Sequence, residues 1–402
     1  MTDSASDETL FPAYGVKRFE GVEVAFIGIV LRGTPFITMP ANVRGYTFSD
    51  EANAVNALIP RLQAQGVHAF VLLIHQGGAV ARQLGDARCD GLSGDILPIL
   101  NRLDPAVSVV VSGHTHQAYA CDYQGFLLTS AASYGRLVTE IDLEVDRKSG
   151  KVLGKDAVNH IVVGDGYEET PLPSGHVPLE KDAEVDALVR RYADLVRPLA
   201  ERKVGRIAAS LGNLPNAAGE SPLGEVIADA QLAATKSAGA QIALTNSGGI
   251  RAPLDYGKDG TVTYAQIFAC QPFDNRLVTA SLTGAQIQDL LERQFGRRGQ
   301  RSLQPSVLQV SSGFRYAYDL LRPPGDRVVP GSLTLNGATI DPAKSYRVTV
   351  NSFLAGGGDN LAAFGAASDR SNGITDVDAL EAYLQANSPV APGPLDRIER
   401  RE

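Results

Sequence analysis

Val107-Ser108-Val109-Val110-Val111-Ser112-Gly113-His114-Thr115-His116 joins a short apolar run to a Gly-led turn that carries two histidines. The apolar run predicts a buried β-strand over residues 107–111. The turn that follows places His114 and His116 at the carboxyl end of that strand, which is the edge where α/β sheets keep their ligands. Neutral imidazoles brought together at such an edge are typical of a site for a divalent transition metal.

The residues on both sides of this turn predict further strands and a helix of the same domain. Residues 22–29 and 70–74 are apolar enough for two further buried strands, and the second of them ends at His75. Residues 51–65 carry apolar side chains at helical spacing, and the alternation over residues 137–145 indicates a half-buried antiparallel strand. Together these patterns predict an α/β domain with three histidines along one sheet edge.

The composition indicates a globular protein of two or three domains. The chain has 402 residues, of which 44% are hydrophobic and 20% are charged. A net charge of -8 argues against a nucleic-acid partner, which would favour a basic face. No apolar run approaches the roughly 18 residues of a membrane span, and residues 1–8 are too acidic and polar for a signal peptide. Nothing in the sequence fixes the oligomeric state.

Cys89, Cys121 and Cys270 are too few for a disulfide framework. Cys89 and Cys121 flank the histidine turn, so an oxidising compartment would allow one bridge between them. The alternative is three unpaired thiols.

The second half of the chain predicts another α/β region. Residues 164–178 have the composition of a linker, and the apolar spacing that follows predicts a helix over residues 181–203, lying across two domains. The further elements are a helix near 223–237, a strand over 242–245, a helix over 284–295 and a strand over 346–351.

Three segments of this second half carry groups suited to a ligand. The two glycines of residues 245–251 allow backbone to approach a ligand closely, and Arg251 offers a planar fork for phosphate or carboxylate. Asp359 follows three glycines and suits two adjacent sugar hydroxyls, while Phe353 and Phe273 could stack on a base. Each segment alone is equally consistent with an ordinary turn or a core aromatic.

In combination these segments resemble the 5′-nucleotidase family over nearly the whole chain. The resemblance is carried by residues 216–230 (Asn-Ala-Ala-Gly-Glu-Ser-Pro-Leu-Gly-Glu-Val-Ile-Ala-Asp-Ala), residues 246–251, Pro272-Phe273, and the Gly-Gly-Gly-Asp turn ending at Asp359. It implies an incomplete calcineurin-like metallophosphoesterase domain over residues 1–163, a linker and interdomain helix over 164–203, and a substrate-binding 5′-nucleotidase C-terminal domain over 204–402.

The resemblance also implies a site and an activity. The base would lie between Phe273 and Phe353, and Asp359 would hold the ribose hydroxyls. The other residues carried over are Asn246, Gly248, Gly249 and Arg251 around the ligand, His75 and His114 on one divalent ion such as Zn²⁺ or Mn²⁺, and His116 on a second. The implied activity is metal-dependent hydrolysis of nucleoside 5′-monophosphates or related nucleotides in the periplasm, outside the cell or on its surface. A nucleotide-binding remnant without turnover and a degenerate product with neither role are the alternatives.

The chain departs from the family pattern in two places. The Asp-x-His pair, the Gly-Asp turn and the Gly-Asn-His-Glu segment of the family are absent upstream of His75, so we assign no catalytic residue and expect an N-terminal truncation or a misplaced start. Ala217 and Ala218 stand where the family often has an arginine. Binding of the phosphate group would therefore depend more strongly on Arg251.

Overall fold

The computed structural model describes residues 1–81, 88–164, 179–295, 307–361, 364 and 367–401. The chain divides into two compact units. Unit 1 comprises residues 1–35 and 43–182, and unit 2 comprises residues 36–42 and 183–402. Both units combine helices and sheets, which confirms the predicted α/β class. The expected linker lies, apart from Gly164, outside the described residues.

Unit 1 is built on a six-stranded sheet. Its elements are β1 (Thr2–Asp3), β2 (Tyr14–Phe19), β3 (Val22–Ile29), β4 (Tyr46–Thr47), α1 (Glu51–Gln63), β5 (Ala69–Ile74), α2 (Leu97–Leu100), β6 (Val107–Val111), β7 (Ala118–Tyr123), β8 (Phe126–Ala131), β9 (Leu137–Val145) and β10 (Val152–Ile161). The sheet has the order β2-β3-β5-β6-β8-β7, and its four inner strands are parallel. The predicted strands and the helix are confirmed, and the helix ends two residues earlier than expected.

Both faces of this sheet are covered. Side chains of β3 and β5 such as Ile27, Phe70 and Leu72 are fully buried in the same cluster as residues of α1 and α2. On the other face, Val71 and Val109 pack with the hairpin β9–β10. Strands buried on both faces need nearly continuous apolar sequence, which explains the runs that predicted them.

A disulfide joins Cys89 to Cys121, while Cys270 is a buried free thiol. The bridge closes a loop with a sequence separation of 32 residues, and this loop contains the histidine turn. By the chain-entropy relation, a loop of that length stabilises the folded state by about 3–4 kcal/mol. The structure therefore selects the bridged alternative.

Unit 2 contains one long exposed helix and two larger sheets. Its elements are α3 (Ala183–Ala200), β11 (Lys203–Arg206), α4 (Pro222–Ala234), β12 (Ile242–Thr245), β13 (Thr261–Thr263), α5 (Tyr264–Cys270), β14 (Arg276–Thr283), α6 (Gly284–Arg293), β15 (Gln309–Val310), β16 (Phe314–Asp319), β17 (Thr334–Leu335), β18 (Ala338–Thr339), β19 (Ser345–Asn351), α7 (Ser352–Ala355), β20 (Ser368–Thr375), α8 (Asp376–Asn387) and β21 (Ile398–Arg401). The sheets run β15-β12-β19-β14-β20 and β18-β17-β16-β21. The four elements predicted between residues 223 and 351 are confirmed to within three residues at each end.

The helix α3 confirms the predicted helix over its central residues, but its apolar stripe is not buried. Leu188, Tyr192 and Leu195 are 54%, 59% and 68% exposed, and no residue of the helix is buried. That this helix joins two domains stays a prediction. No helix of the described ranges is long and apolar enough to cross a membrane.

A buried charge cluster fixes the C-terminal strand to α4. Arg397, just before β21, donates both Nη atoms to the Asp229 carboxylate at 2.9 Å. Glu220 accepts the backbone N–H groups of Arg397 and Ile398 at 2.8 Å. Glu225 is 2% exposed and lies 3.3 Å from Nε of Arg397, yet neither of its oxygens accepts a hydrogen bond within the described chain. Burial therefore raises the pKa of Glu225 to about 7, against the opposing attraction of Arg397.

We predict that Glu225 makes the stability of unit 2 depend on pH. As pH rises from 4.5, the ordinary pKa, to about 7, the unfolded chain loses this proton while the folded protein retains it. The free energy of unfolding therefore falls over this window, by on the order of 2 kcal/mol from this group. Urea unfolding of the wild type and Glu225→Gln at both ends of the window measures the effect, which the variant should lack.

Glu399→Gln is the matched control. Glu399 is exposed, and its hydrogen bonds from Arg401 lower its pKa, which is the opposite direction from that of Glu225. Its variant should follow the wild type at every pH. A constant difference between wild type and Glu225→Gln across the window would contradict the prediction.

Candidate functional site

Two histidines of unit 1 meet at the carboxyl edge of the sheet. β5 and β6 are parallel neighbours, with Leu73 opposite Val111, so the residues after both strands emerge side by side. The ring centres of His75 and His114 are 5.0 Å apart. His116 instead lies 5.7 Å from the ring of Tyr134. All three histidines keep solvent-exposed surface, and His114 is also partly desolvated by its surroundings.

The turn that carries His114 and His116 is closely packed and strained. Thr115 Oγ1 donates to the Gly78 carbonyl at 2.8 Å. A Cβ at Gly77 would lie 2.4 Å from the Gly113 carbonyl oxygen, so only glycine permits this approach. His114 and His116 both have left-handed backbone, with φ of 70° and 57°. Residues other than glycine seldom adopt this conformation, and where they do the surrounding structure imposes it, as at many functional sites.

The electrostatic surroundings of His114 favour its neutral form. Burial lowers the pKa of His114, and the neighbouring His75 and His116 lower it further, while Asp95 opposes them. Neutral imidazole is the form that binds metal ions. The turn therefore presents His114 ready to act as a ligand.

The donor set fits one divalent ion better than two. Ring centres 5.0 Å apart allow His75 and His114 to face a common ion at the usual nitrogen–metal distance of about 2.0–2.1 Å. The His116 ring lies against Tyr134, whereas the other two rings lie against each other. Within the described ranges, no group of three or more His, Cys, Asp or Glu side chains is placed to hold a metal.

In unit 2, three polar side chains meet at the edge formed by β12 and β19. Asn246 follows β12, Asn351 ends β19, and Asp359 lies in a short turn farther along. Asn351 Nδ2 donates to Asn246 Oδ1 at 3.0 Å, and Asn246 Nδ2 donates to Asp359 Oδ2 at 3.0 Å. Burial raises the pKa of Asp359, and the hydrogen bond from Asn246 opposes that rise.

The glycine turn brings Phe353 next to this network. A Cβ at Gly358 would lie 2.5 Å from the Phe353 ring, so the ring packs directly on the glycine backbone. Asp359 takes left-handed backbone, with φ of 51°. The same turn therefore positions both the aromatic ring of Phe353 and the carboxylate of Asp359.

Arg251 and Phe273 form a second, more exposed pair. The Arg251 guanidinium carbon lies 6.0 Å from the centre of the Phe273 ring, and Phe273 is 53% exposed. Arg251 Nη1 donates to the Gly248 carbonyl at 3.5 Å. A Cβ at Gly249 would lie 3.1 Å from Asn246 Oδ1. These contacts join the Asn246 segment and the Phe273 turn in one region of unit 2.

Two polar residues of this region were not predicted. The apolar pattern indicates Asn351 only as the end of a strand, although asparagine at a strand-to-helix junction is a common helix cap. Asn275 accepts from Ser352 Oγ at 3.3 Å and donates to Asp376, whose pKa burial raises to about 6. Asn275 therefore connects the Phe273 turn to the residue before Phe353.

Comparisons of sequence and of structure both find similarity to 5′-nucleotidases. Residues 203–366 match the 5′-nucleotidase C-terminal domain. The crystal structure of a 5′-nucleotidase precursor from Thermus thermophilus is similar with a TM-score of 0.77 and 27% identity, over 96% of this chain and 74% of that one. Residues 203–366 belong to the 5′-nucleotidase C-terminal domain family.

Bacterial relatives of the chain include longer proteins. The endonuclease YhcR of Bacillus subtilis (strain 168) is 30% identical over 87% of the chain, and the cell wall protein Lmo0130 of Listeria monocytogenes is 28% identical over 92% of it. The chain spans only 26% and 46% of the lengths of these two relatives.

We predict that His75 and His114 bind one divalent ion. His75→Ala or His114→Ala should weaken Zn²⁺ binding by at least about tenfold, because loss of a ligand costs no less than loss of a group supporting a ligand. Titration calorimetry with Zn²⁺ measures the affinity.

His160→Ala is the control, since His160 is exposed and pairs with Glu140 on the β9–β10 hairpin. It should bind Zn²⁺ as the wild type does. Equal losses in all three variants would show that Zn²⁺ binds histidines nonspecifically.

Proposed function

We propose that unit 2 binds nucleoside 5′-monophosphates or related nucleotides, in the manner of the family's substrate domain. The observation that carries this proposal is the turn that sets Phe353 against Gly358 while Asn246 holds the next residue, Asp359. An aromatic face beside a buried carboxylate suits a ligand with both a flat base and a pair of hydroxyls.

The recognition we propose divides the nucleotide among three groups. Phe273 and Phe353 stack on the base, which contributes roughly 1–3 kcal/mol per base and tolerates different bases. Asp359 accepts hydrogen bonds from the ribose hydroxyls. Arg251 binds phosphate through its planar fork, so a local cation serves an anionic ligand in a chain with a net charge of -8. Gly248 and Gly249 let backbone approach the ligand closely.

Hydrolysis of the phosphoester would depend on the histidine edge of unit 1. A divalent ion held by His75 and His114 supplies Lewis-acid chemistry and a more acidic bound water. His116 is proposed as a ligand of a second ion. Imidazole binds a metal ion in its neutral form, and neutral ligands do not offset the mutual repulsion of two dications.

The second candidate function is therefore nucleotide binding without turnover. It is favoured by the same donor set, because the described part of unit 1 gathers no three metal-ligating side chains. We favour nucleotide binding without turnover for the donor set that the described residues of unit 1 provide.

We propose a location outside the cytoplasm. Support comes from the bridge between Cys89 and Cys121, since such bridges persist in oxidising compartments. The similarity to a cell wall protein and to a nucleotidase precursor points the same way. One relative is an endonuclease, but the acidic balance of this chain favours small nucleotides over a nucleic-acid backbone.

Removing either aromatic ring should weaken nucleoside binding. Phe273→Ala and Phe353→Ala should each lower adenosine affinity by about tenfold or more, because each removes one stacking face. Calorimetric titration with adenosine measures this.

Phe268→Ala provides the comparison, since Phe268 is similarly exposed at 46% but stacks on Tyr264. Its adenosine affinity should be that of the wild type. Unchanged affinity in the Phe273 and Phe353 variants would remove the proposed clamp.

The purified chain should release little or no phosphate from AMP with Mn²⁺ or Zn²⁺ present, because its neutral imidazoles do not support a two-ion centre. A colorimetric phosphate assay tests this, with adenosine binding measured in the same preparation. Turnover above about 1 per second lies in the ordinary enzyme range and would establish hydrolysis as the chain's own activity.

A further inference from the structure

A chain of three hydrogen bonds runs from the backbone of α7 to the Asp359 carboxylate. The Leu354 N–H donates to Asn351 Oδ1 at 2.9 Å. Asn351 Nδ2 donates to Asn246 Oδ1, and Asn246 Nδ2 donates to Asp359 Oδ2, both at 3.0 Å. Asn351 and Asn246 are 2% and 7% exposed, so neither amide turns freely towards solvent.

The backbone N–H of Leu354 fixes the direction of all three hydrogen bonds. A backbone N–H only donates, so Asn351 must turn its oxygen to Leu354 and its NH₂ group to Asn246. Asn246 must then turn its own oxygen to Asn351, which leaves its NH₂ group for Asp359. The helix cap at Asn351 thus determines which end of the Asn246 amide the carboxylate meets.

The opposite orientation would place an amide oxygen against a carboxylate oxygen. That contact is repulsive and favours protonation of Asp359, which already carries a raised pKa because it is buried. A protonated carboxyl group has less capacity to accept hydrogen bonds than the two oxygens of a carboxylate.

We infer that Asn351 is a positioning residue for recognition of the sugar, acting through Asn246 on Asp359. This inference rests on the proposed nucleotide binding. Asn351 does not contact the ligand in this account; it keeps the Asp359 carboxylate ionised and oriented towards a pair of vicinal hydroxyls.

The test compares adenosine with 2′,3′-dideoxyadenosine, which has the same base and lacks both hydroxyls. Asn351→Ser retains an oxygen for the Leu354 N–H, because serine is a good helix cap, but removes the NH₂ group that donates to Asn246 Oδ1. Asn351→Asp also retains the cap and places an acceptor opposite Asn246. Both variants should bind adenosine about tenfold more weakly and dideoxyadenosine unchanged, as expected for loss of a hydrogen bond to a charged group.

A double-mutant cycle separates this role from a general structural one. In an Asp359→Ala background, Asn351→Ser should have no further effect on adenosine affinity, because the group it acts on has been removed. Thr283→Ala is the control for loss of a helix cap, since Thr283 caps α6 at the far end of β14. It should leave the preference for adenosine over dideoxyadenosine unchanged.

The outcomes distinguish the inference from the proposed function. Equal loss for both ligands, or no loss for either, would overturn the role of Asn351 and leave nucleotide binding standing. Failure of the wild type to bind adenosine would remove both. Should the variants not fold, NMR of the wild type decides: adenosine should shift the side-chain amide resonances of Asn246 and Asn351, and dideoxyadenosine should not. Shifts with both ligands, or with neither, would overturn the inference.

Discussion

Parallel pairing of neighbouring strands is the constraint on which both candidate sites depend. In unit 1, β5 and β6 run the same way, so His75 and the His114 turn leave the sheet at one edge. In unit 2, β12 pairs parallel with β19, and Asn246 therefore emerges beside Asn351. A shift of one residue in either register would send alternate side chains to the opposite face and separate these groups. The positions of these polar residues therefore depend on the pairing and register of the apolar strands that precede them.

Much of the scaffold follows from local sequence. Residues 22–29, 107–111 and 242–245 form strands with the predicted bounds, because strands buried on both faces require apolar runs that few other elements need. The histidines also follow strand ends as expected. The partner strand β10 was not predicted, since it is half exposed and carries no continuous apolar run.

The remaining features depend on contacts between distant parts of the chain. Glu225 lies on a helix, where a glutamate is ordinarily exposed, yet it is buried with Arg397, the residue just before the C-terminal strand. Cys89 and Cys121 could be paired only once the loop at Arg88 was known to lie against β7. Asn351 reads as an ordinary strand residue until β12 is placed beside it. The sequence therefore indicates the proposed ligand groups more directly than the groups that would orient them.

The bridge between Cys89 and Cys121 also bears on how the protein is produced. Expression in a reducing host compartment yields a chain of the same sequence whose histidine turn lies in a loop without covalent closure. Oxidised and reduced preparations would then differ in how often unit 1 opens, and so in how often its imidazoles lie close enough to share an ion. Metal affinities from two laboratories are comparable only where the thiol content of both preparations has been titrated.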